Sequence, residues 1–557
     1  MGIGRVGIGR VGIGRVGIGM TDRGAAGVRG PWVALFALCA CFFMVMLDST
    51  IVTVAIPAVL TGLDATLNEV IWVNSVYLLA NTVPLLVTGR LGDRYGPKRV
   101  LVAGLVLFLG ASLWCGLSTS AGSLIAARAV QGLGASVMTP QTLSFISRLF
   151  PPHRRAAPIA VWGGVAGVAT ITGPVLGGVL VEHVGWPSIF LLNLPIGAVG
   201  LVLALLLLPD WRPSTRMRFD TAGALLAAAG LGLVVFGLQN GQHYRWGAIV
   251  GPIGVLPVLG VGVLLLGVFA LRQRVPRPDP LVPPALFADR SFGYANLVHA
   301  ALGFATTGMF LPLVLYAQSV LGLDPVESAL LCLPMAVAAG LAALVAGRAL
   351  GRVGGKHLII TGLAGLAAGT AVLAVFAAPD ADPGALVPGL VVAGIGIGLV
   401  FSPLTATATA GLPPDLVGAG SGVFNTSRQV GGVLGSAATG LLLQVGLGVA
   451  MPNAAREYAR VLPPRYADEF VRRITEAADS AGQFGGEGPA VPVDWSPSVA
   501  EKVRELATDA FALGFTTATR ATLVLPVVVL VLGVIAAAGL PTGNGENRGL
   551  PPGRGTP

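Results

Sequence analysis

The apolar residues of this chain fall into long runs, and the polar residues collect in the short segments between them. Runs of about 20 apolar residues are long enough for a helix to cross a ~30 Å hydrocarbon core, and they recur along nearly the whole length. The pattern therefore predicts an all-α integral membrane protein with fourteen transmembrane helices. The predicted spans are Pro31–Ala58, Val70–Thr88, Val100–Leu117, Leu124–Ser147, Ala156–Val181, Ile189–Leu208, Thr221–Gln239, Ala248–Leu271, Phe292–Ala317, Ser328–Gly347, His357–Ala377, Leu386–Ala410, Gly422–Val445 and Phe515–Leu540.

Composition and charge support this interpretation and orient the chain. Charged residues make up 11% of the 557 residues, whereas soluble domains carry about 25%. The mean hydropathy is +0.80. Short cytoplasmic loops accumulate lysine and arginine. With the N-terminus inside, the inner segments hold twenty-four of these residues, and the short outer loops hold only Arg245. Both termini are therefore predicted to be cytoplasmic, and the basic balance gives no reason to expect a nucleic-acid partner.

One acidic side chain, that of Asp48, lies well inside an apolar run. A carboxylate in hydrocarbon costs roughly 2.5–3.5 kcal/mol on insertion scales, so it is rarely kept without a function. Asp48 is therefore the first functional candidate. The four cysteines show no zinc spacing or disulfide framework, and no metal site or catalytic constellation is visible in the sequence. The sequence therefore predicts a transporter that needs no cofactor, and not an enzyme.

Two kinds of repeat divide the chain. A Gly-Ile-Gly-Arg-Val pentad repeats near the N-terminus, and we interpret residues 1–19 as a translated nucleotide repeat before a natural start at Met20. A longer repeat aligns Gly89–Arg99 with Gly347–His357 at an offset of 258, and the same offset aligns Gly173–Gly177 with Gly431–Gly435. A duplicated transporter core has its substrate site near the midplane between the halves. The predicted divisions are a cytoplasmic tail (1–30), a six-helix bundle (31–208), two inserted helices (209–291), a second six-helix bundle with a long outer loop at 448–512 (292–540) and a cytoplasmic tail (541–557).

Four motifs make the chain resemble the major facilitator superfamily, and specifically its fourteen-helix drug:proton antiporter family. They are Leu47–Pro57 in the first helix, Gly89–Arg99 between helices two and three, Arg128–Ala135 in helix four and Gly173–Gly178 in helix five, the last followed by Trp186–Gly197. The resemblance extends over essentially residues 32–540. It implies six helices, two inserted helices and six more, with proton-driven export of drug-like amphipaths across a bacterial cytoplasmic membrane.

The resemblance also implies roles for particular residues. Asp48 and Arg128 are expected to couple transport to protons, and Asp93 is expected to dock near Gly418–Gly422 and hold the outward-facing state. Each role has an alternative: Arg128 as a snorkelling outer arginine, the Asp93 segment as a solvated basic loop, and the glycines of helix five as packing alone. The residues predicted to form the conformational gate are Gly89, Asp93, Arg94, Gly96, Lys98, Arg99, Gly173, Pro174, Gly177 and Gly178.

Substrate contacts follow less directly from the sequence. The candidate binding residues are Phe43, Met46, Trp72, Gln131 and His299. His299 either titrates in the cavity or satisfies a carbonyl, and we favour the second reading. Since the spans hold one clear carboxylate, neutral or monovalent amphipaths are the expected substrates. The alternatives are an exporter of one specific metabolite or antibiotic, and an importer or lipid transporter of the same fold. The chain is expected to act as a monomer, and the sequence does not decide whether an adaptor protein is used.

Overall fold

The structure is a computed structural model. It describes residues 30–52, 55–65, 67–151, 154–211, 220–241, 244, 246–275, 280–410, 412–413, 416–481 and 497–540. The pentad repeat, the predicted start at Met20 and the C-terminal tail lie outside the described residues.

The N-terminal half is a bundle of helices in which α1 packs against α7 and α9, and α6 packs against α3 and α5. Gly96 separates α4 from α5 with a φ of 94°, a conformation that glycine adopts without strain. The helices are α1 (Pro31–Ile51), α2 (Ile56–Gly62), α3 (Leu67–Thr82), α4 (Leu85–Tyr95), α5 (Pro97–Gly116), α6 (Ala121–Leu149), α7 (Ala156–His183), α8 (Ser188–Leu191) and α9 (Asn193–Leu207).

Two helices follow as an antiparallel pair, α10 (Thr221–Asn240) and α11 (Val255–Arg274). A short two-stranded sheet joins them, made of β1 (Ala248–Val250) and β2 (Ile253–Gly254). Asp220 caps the N-terminus of α10 by accepting a hydrogen bond from the Gly223 amide, and it pairs with Arg272 of α11 at 2.8 Å. One carboxylate therefore fixes the inner ends of both inserted helices.

The C-terminal half is a second bundle, in which α12 packs against α17, α16 against α14 and α15, and α17 against α19. Short 3-10 helices at Pro284–Phe287 and Pro383–Leu386 precede α12 and α16. The helices are α12 (Arg290–Ser319), α13 (Pro325–Leu331), α14 (Leu333–Val353), α15 (Gly355–Phe376), α16 (Val387–Ala410), α17 (Val417–Ala459), α18 (Pro464–Ala481) and α19 (Pro497–Ala538).

The fold is all-helical apart from the small sheet, as predicted, but the count of fourteen spans is not confirmed. Within the described residues, eleven helices are long and apolar enough to cross a membrane. Four helices that overlap predicted spans are not among these eleven: α3, α4, α6 and α7. A turn separates α3 from α4, and α6 carries Arg128, Gln131 and Gln141 in its buried face. Polar side chains inside a helix lower its hydropathy even when they are satisfied by neighbouring helices.

The two halves meet along α4 and α6 against α17, and along α7 against α14 and α16. We call the end of the bundle that carries Tyr95 and Val353 the inner end, because the sequence predicts that it faces the cytoplasm. We call the opposite end the outer end. Each half has its own apolar core, and Phe401 of the C-terminal half packs against the cores of both halves. The contacts between the halves therefore place residues of both near the centre of the molecule.

Candidate functional site

The Asp48 carboxylate lies near the end of α1 and is fully buried. Its Oδ2 atom accepts a hydrogen bond from Arg128 Nη1 at 2.6 Å. Its Oδ1 atom accepts hydrogen bonds from Gln131 Nε2 at 2.8 Å and from Asn193 Nδ2 at 2.7 Å. Both oxygens thus receive only donors, which is the arrangement that an ionised carboxylate requires. The structure brings together the two residues that the sequence proposed for proton coupling.

Arg128 is also fully buried, on α6. Its Nε atom donates to the Val73 carbonyl at 3.4 Å, and its guanidinium carbon lies 3.9 Å from the centre of the Tyr77 ring. Its Nη2 atom is buried and has no hydrogen-bond partner among the described residues. An arginine that snorkels to the outer surface would be exposed, so the structure disagrees with that reading of Arg128. Breaking a buried pair of this kind costs about 3–5 kcal/mol, because the remaining charge is left uncompensated.

Sequence reasoning did not assign two further members of this network. Asn193 begins α9, and Ser112 lies on α5; both are fully buried. Ser112 Oγ accepts hydrogen bonds from Gln131 and Asn193 and donates to the Phe190 carbonyl at 2.9 Å. The Asn193 amide near the start of an apolar run was visible in the sequence. The sequence does not say which helix faces this amide. Gln131, predicted as a substrate contact, is a member of this network.

The second site lies at the inner end, where Asp93 of α4 meets the N-terminus of α17. Its Oδ1 and Oδ2 atoms accept hydrogen bonds from the Gly418 and Ala419 amides at 3.0 and 2.9 Å. Arg148 lies 3.2 Å from Oδ1, and Arg90 lies 3.8 Å from Oδ2. A carboxylate is favourable at a helix N-terminus because the first amides have no partner within the helix and the macrodipole is positive there. Asp93 thus caps a helix of the other half.

Glycines allow this approach between α4 and α17. A Cβ atom on Gly418 would lie 2.3 Å from Asp93 Oδ1, and one on Gly89 would lie 2.6 Å from the Gly418 carbonyl oxygen. Any larger residue at either position must displace the contact. A second link joins the halves nearby, since Arg155 Nη1 donates to the Thr409 carbonyl at 3.0 Å. The inner ends of the two halves are therefore held together in this conformation.

The remaining predicted gate residues of this segment act within the N-terminal half. The segment was expected to be a loop, but it is helical up to Tyr95 and turns only at Gly96. Lys98 donates to the carbonyls of Leu205 and Leu208, both at 2.7 Å, and so caps the end of α9. Arg99 pairs with Asp210 at 3.4 Å in an exposed position. The Arg94 guanidinium lies 5.2 Å from the centre of the Tyr95 ring. Asp93 is thus held by Arg90 and Arg148, and Lys98 and Arg99 point elsewhere.

Burial raises the pKa of Asp93, which lies beyond the predicted span Val70–Thr88, to about 6. Arg148, Arg90 and the two amides of α17 act in the opposite direction by favouring the ionised form. The desolvation effect is larger, so the closed inner end gives this carboxyl an unusually high affinity for protons.

The predicted gate motif Gly173–Gly178 lies on α7, and its first glycine packs within the N-terminal half. Gly173 packs against α1 of its own half, where an added Cβ atom would lie 2.1 Å from Thr50 Oγ1. Gly177 is buried on the same helix, and Gly178 is half-buried. Pro174 lies inside α7. The close contact with the other half is made earlier on α7, where a Cβ atom on Gly163 would lie 2.8 Å from the Phe401 ring. Gly173, predicted as a gate residue, thus packs within its own half in this conformation.

The predicted substrate residues do not form one cluster. Phe43 and Met46 are half-buried on α1, and Met46 packs against the N-terminal core. Trp72 lies 5.6 Å from Phe236 of the inserted helix α10, measured between ring centroids. His299 is buried at the centre of the C-terminal half, where its Nδ1 atom lies 3.0 Å from the Phe424 carbonyl oxygen. The expectation that His299 satisfies a carbonyl agrees with this contact, although its other ring nitrogen has no partner among the described residues.

A two-bundle helical fold with a buried carboxylate–guanidinium pair is typical of a membrane transporter. Residues 38–436 match the family model described as Major Facilitator Superfamily. The chain therefore belongs to the major facilitator superfamily, and it is a transporter and not an enzyme. Transporters of this superfamily generally need no cofactor and use ion gradients.

Relatives with this fold include antibiotic exporters. The chain is 44% identical over 469 residues to the uncharacterized MFS-type transporter Rv1250 of Mycobacterium tuberculosis, covering 82% of this chain and 79% of the relative. It is 32% identical to the tetracenomycin C resistance and export protein of Streptomyces glaucescens, covering 91% and 92%. The puromycin resistance protein pur8 of Streptomyces alboniger is 35% identical, with coverage of 74% and 82%. The predicted resemblance to drug-exporting members of the superfamily is confirmed.

Solved structures agree with the fold. The human organic anion transporter MFSD10 superposes with a TM-score of 0.55 at 12% identity, covering 90% of this chain and 99% of that chain. At this level of identity the likeness concerns the fold alone.

Proposed function

We propose that this chain is a proton-coupled antiporter that exports drug-like organic molecules across a bacterial cytoplasmic membrane. The observation that carries the proposal is the Asp48–Arg128 pair, in which both side chains are fully buried and their charged atoms lie 2.6 Å apart. Buried ionisable residues in membrane proteins mark ion pathways and proton relays. The antibiotic exporters among the relatives support the direction and the class of substrate.

The proton step follows from the hydrogen bonds of Asp48. In the structure the carboxylate accepts from Arg128, Gln131 and Asn193. A proton on Asp48 would remove its attraction for the guanidinium and would turn one oxygen into a donor. The Asn193 Oδ1 atom is buried and has no partner among the described residues, so it is available as an acceptor once its amide rotates. Protonation would therefore release Arg128 and rearrange α1 against α6 and α9.

The inner contact supplies the second half of the cycle. We propose that the six helices on each side of α10 and α11 rock as two bodies, and that the Asp93 contact with α17 closes the inner end while protons enter from outside. Separation of the inner ends breaks the hydrogen bonds to Gly418 and Ala419. In this proposal both termini are cytoplasmic, and the chain works as a monomer.

The test is transport in proteoliposomes with an imposed pH gradient. Internal pH and uptake of fluorescent amphipaths of positive, zero and negative charge are recorded together. We expect proton movement to be tied to dye movement in the wild type and to be lost in Asp48→Asn. Each 100 mV contributes about 2.3 kcal/mol per charge moved, enough for roughly 50-fold accumulation.

Asp380→Asn is the matched control, because Asp380 is an exposed carboxylate beyond the end of α15. This variant should transport as the wild type does. Normal coupled transport by Asp48→Asn would remove Asp48 from the mechanism. Dye transport that never moves protons would exclude antiport while leaving the chain a transporter.

A further inference from the structure

Four aromatic rings from both halves form a continuous set near the centre of the molecule. Trp162 of α7 and Phe401 of α16 have ring centroids 5.8 Å apart. His299 of α12 lies 6.2 Å from Phe401 on a different helix, and it stacks on Phe424 of α17 at 3.8 Å. Trp162 belongs to the N-terminal half and the other three to the C-terminal half. A molecule bound to this set would therefore contact both bodies that move during transport.

Two polar atoms of this set are buried without a partner. Trp162 Nε1 and His299 Nε2 have no hydrogen-bond partner among the described residues, although the two side chains are only 3% and 2% exposed. Buried polar groups in proteins are nearly always hydrogen-bonded, and leaving one unpaired costs about 1–3 kcal/mol. Both side chains contact the ring of Phe401. The two unpaired atoms therefore belong to side chains that share one neighbour, the Phe401 ring.

The chemistry of the two atoms differs. His299 Nδ1 lies 3.0 Å from the Phe424 carbonyl oxygen, and a carbonyl only accepts, so Nδ1 carries the proton. In the neutral imidazole, Nε2 is then an acceptor. Trp162 Nε1 is a donor only. The set therefore fits a ligand that donates through a hydroxyl group and accepts through an oxygen.

A cation stands beside these rings. Arg428 follows Phe424 by one turn of α17, and Gly303 follows His299 by one turn of α12. The two helices touch at this level, because a Cβ atom on Gly303 would lie 2.2 Å from the Arg428 carbonyl oxygen and 3.2 Å from its Cγ. In the part of the chain that the structure describes, the Arg428 side chain makes no hydrogen bond or ion pair, and it is partly exposed.

The charges of the interior do not cancel. Asp48 is the one acidic residue well inside a predicted span, and Arg128 already neutralises it at 2.6 Å. A guanidinium stays charged in proteins, so the partly exposed Arg428 adds a positive charge near the rings. With a rise of 1.5 Å per residue, the rings and Arg428 lie about 9–17 Å from the inner ends of their helices, and Asp48 lies about 25 Å from the inner end of α1. Asp48 and Arg428 are thus offset by about 9 Å along the helix axes, and Asp48 is already paired with Arg128.

We propose that Trp162, Phe401, His299 and Arg428 form the site for an aromatic organic anion that carries a hydroxyl group. The inference rests on the proposed function as an exporter, and it names the substrate class. The ring of the ligand lies against Phe401, its hydroxyl donates to His299, and its anionic oxygens face Arg428 and Trp162. This differs from the sequence-based expectation of neutral or monovalent amphipaths in requiring a negative charge.

Binding to the purified full-length protein tests the proposal without a proton gradient. Fluorescein, in buffer acidic enough to keep the monoanion with its phenolic hydroxyl, shares the xanthene ring with a rhodamine ester of opposite charge. Fluorescence anisotropy measures the Kd of each. We expect the wild type to bind fluorescein more tightly. Arg428→Gln should weaken fluorescein binding at least about tenfold, and Arg428→Lys should weaken it less. Trp162→Phe keeps an aromatic ring but removes the Nε1–H donor along with part of the indole, so it should weaken fluorescein binding severalfold.

Arg456→Gln is the matched control, because Arg456 lies on the same helix but is exposed and bonded to Asn453. It should bind both dyes as the wild type does, and melting curves check that every variant is folded. Equal or tighter binding of the rhodamine ester, or an unchanged Kd for fluorescein in Arg428→Gln, would overturn the proposal.

Transport separates this proposal from the proposed function. If fluorescein binds through Arg428 but no pH gradient moves it, proton antiport is wrong and the site assignment stands. If a pH gradient drives the rhodamine ester equally well in the wild type and in Arg428→Gln, antiport stands and the site assignment is wrong.

Discussion

Replacing Gly418 by alanine tests whether the Asp93 contact holds the inner ends together. The new Cβ atom would lie 2.3 Å from Oδ1, 2.5 Å from Cγ and 2.6 Å from Oδ2 of Asp93. Distances under 3 Å to a group that is itself held by Arg148 and two amides require the carboxylate to leave. The substitution adds one methyl group and leaves every charge in place.

The expected size follows from the hydrogen bonds that are lost. A hydrogen bond to a charged group contributes about 1.5–3 kcal/mol, and Asp93 accepts two of them from the start of α17. Water that reaches the separated groups recovers part of this energy. We therefore take about 3 kcal/mol as the net loss for the closed inner end. Since each 1.4 kcal/mol is a factor of ten, the equilibrium between closed and open inner ends should shift about 100-fold toward open.

Spin-label distance measurement reports this equilibrium directly. The labels are attached to Tyr95→Cys on α4 and Val353→Cys on α14, where the native side chains are 51% and 49% exposed, after replacement of the native cysteines. Gly418→Ala should increase the population of long distances. Gly448→Ala is the matched control, because it lies on the same helix and no described atom lies within 4 Å of its added Cβ. Gly448 lies in the interior of α17, where alanine gains at least as much helix propensity as at Gly418, the second residue of the helix.

An unchanged distance distribution in Gly418→Ala would refute this reasoning. It would mean that the hydrogen bonds of Asp93 do not limit separation of the halves. A shift of the same size in Gly448→Ala would trace the effect to helix propensity alone.

Three further predictions follow from the same contacts. The pKa of Asp93 is about 6 in the closed form, against an ordinary value of 3.8, so protons bind preferentially to the closed form. Lowering the pH from about 7 to about 5 should therefore increase the population of short spin-label distances, and Asp93→Asn should abolish this pH dependence. An increase of the long distances at low pH would contradict this coupling between protonation and closure. Arg128→Met leaves the Asp48 carboxylate buried without its cationic partner, so thermal unfolding should show a loss of stability of about 3–5 kcal/mol. Adding Asp48→Asn should restore part of this stability, and a double variant no more stable than Arg128→Met would argue against a stabilising Asp48–Arg128 pair. Gly431→Ala places a Cβ atom 2.0 Å from the Ala300 carbonyl oxygen, so it should lower the Tm of the purified protein by several degrees, and a Tm equal to that of the Gly448→Ala control would show that α12 and α17 can separate freely.

The fold was largely readable from the sequence because the membrane imposes a simple rule. Backbone groups in hydrocarbon must be satisfied within the segment, so an apolar run of sufficient length becomes a helix. The predicted spans accordingly overlap helices of both halves, although the span predicted from Ala248 begins in β1 and α17 continues past Val445 to Ala459. Hydropathy alone misses a span when its helix carries buried polar side chains, as α6 does, or when a turn divides it, as between α3 and α4. A hydropathy value measures the free energy of transferring a side chain out of water. It contains no information about the hydrogen-bond partners that neighbouring helices supply.

The site was readable only in part. Asp48 and Arg128 stood out because an ionisable residue in an apolar run is expensive wherever it is placed. Asn193 and Arg148 carried no comparable signal of their contacts. Arg428 also lies in a predicted span, but its position there does not say whether an acidic partner faces it. Lys98 was placed in the gate because it follows Asp93 closely in the chain, yet its ammonium group reaches the end of α9. Residues that are close in sequence can point their side chains to different sides of the bundle.

By itself, the sequence determined an all-helical membrane transporter with a duplicated core and one buried carboxylate, because length, hydropathy and charge bias are local properties of the chain. Only the tertiary structure decided that this carboxylate is already paired with Arg128, and that Arg428 stands without an acidic partner among the described residues. A charge in the membrane interior is costly until another helix supplies its partner. The packing of helices therefore decides which buried charge is neutralised and which is not.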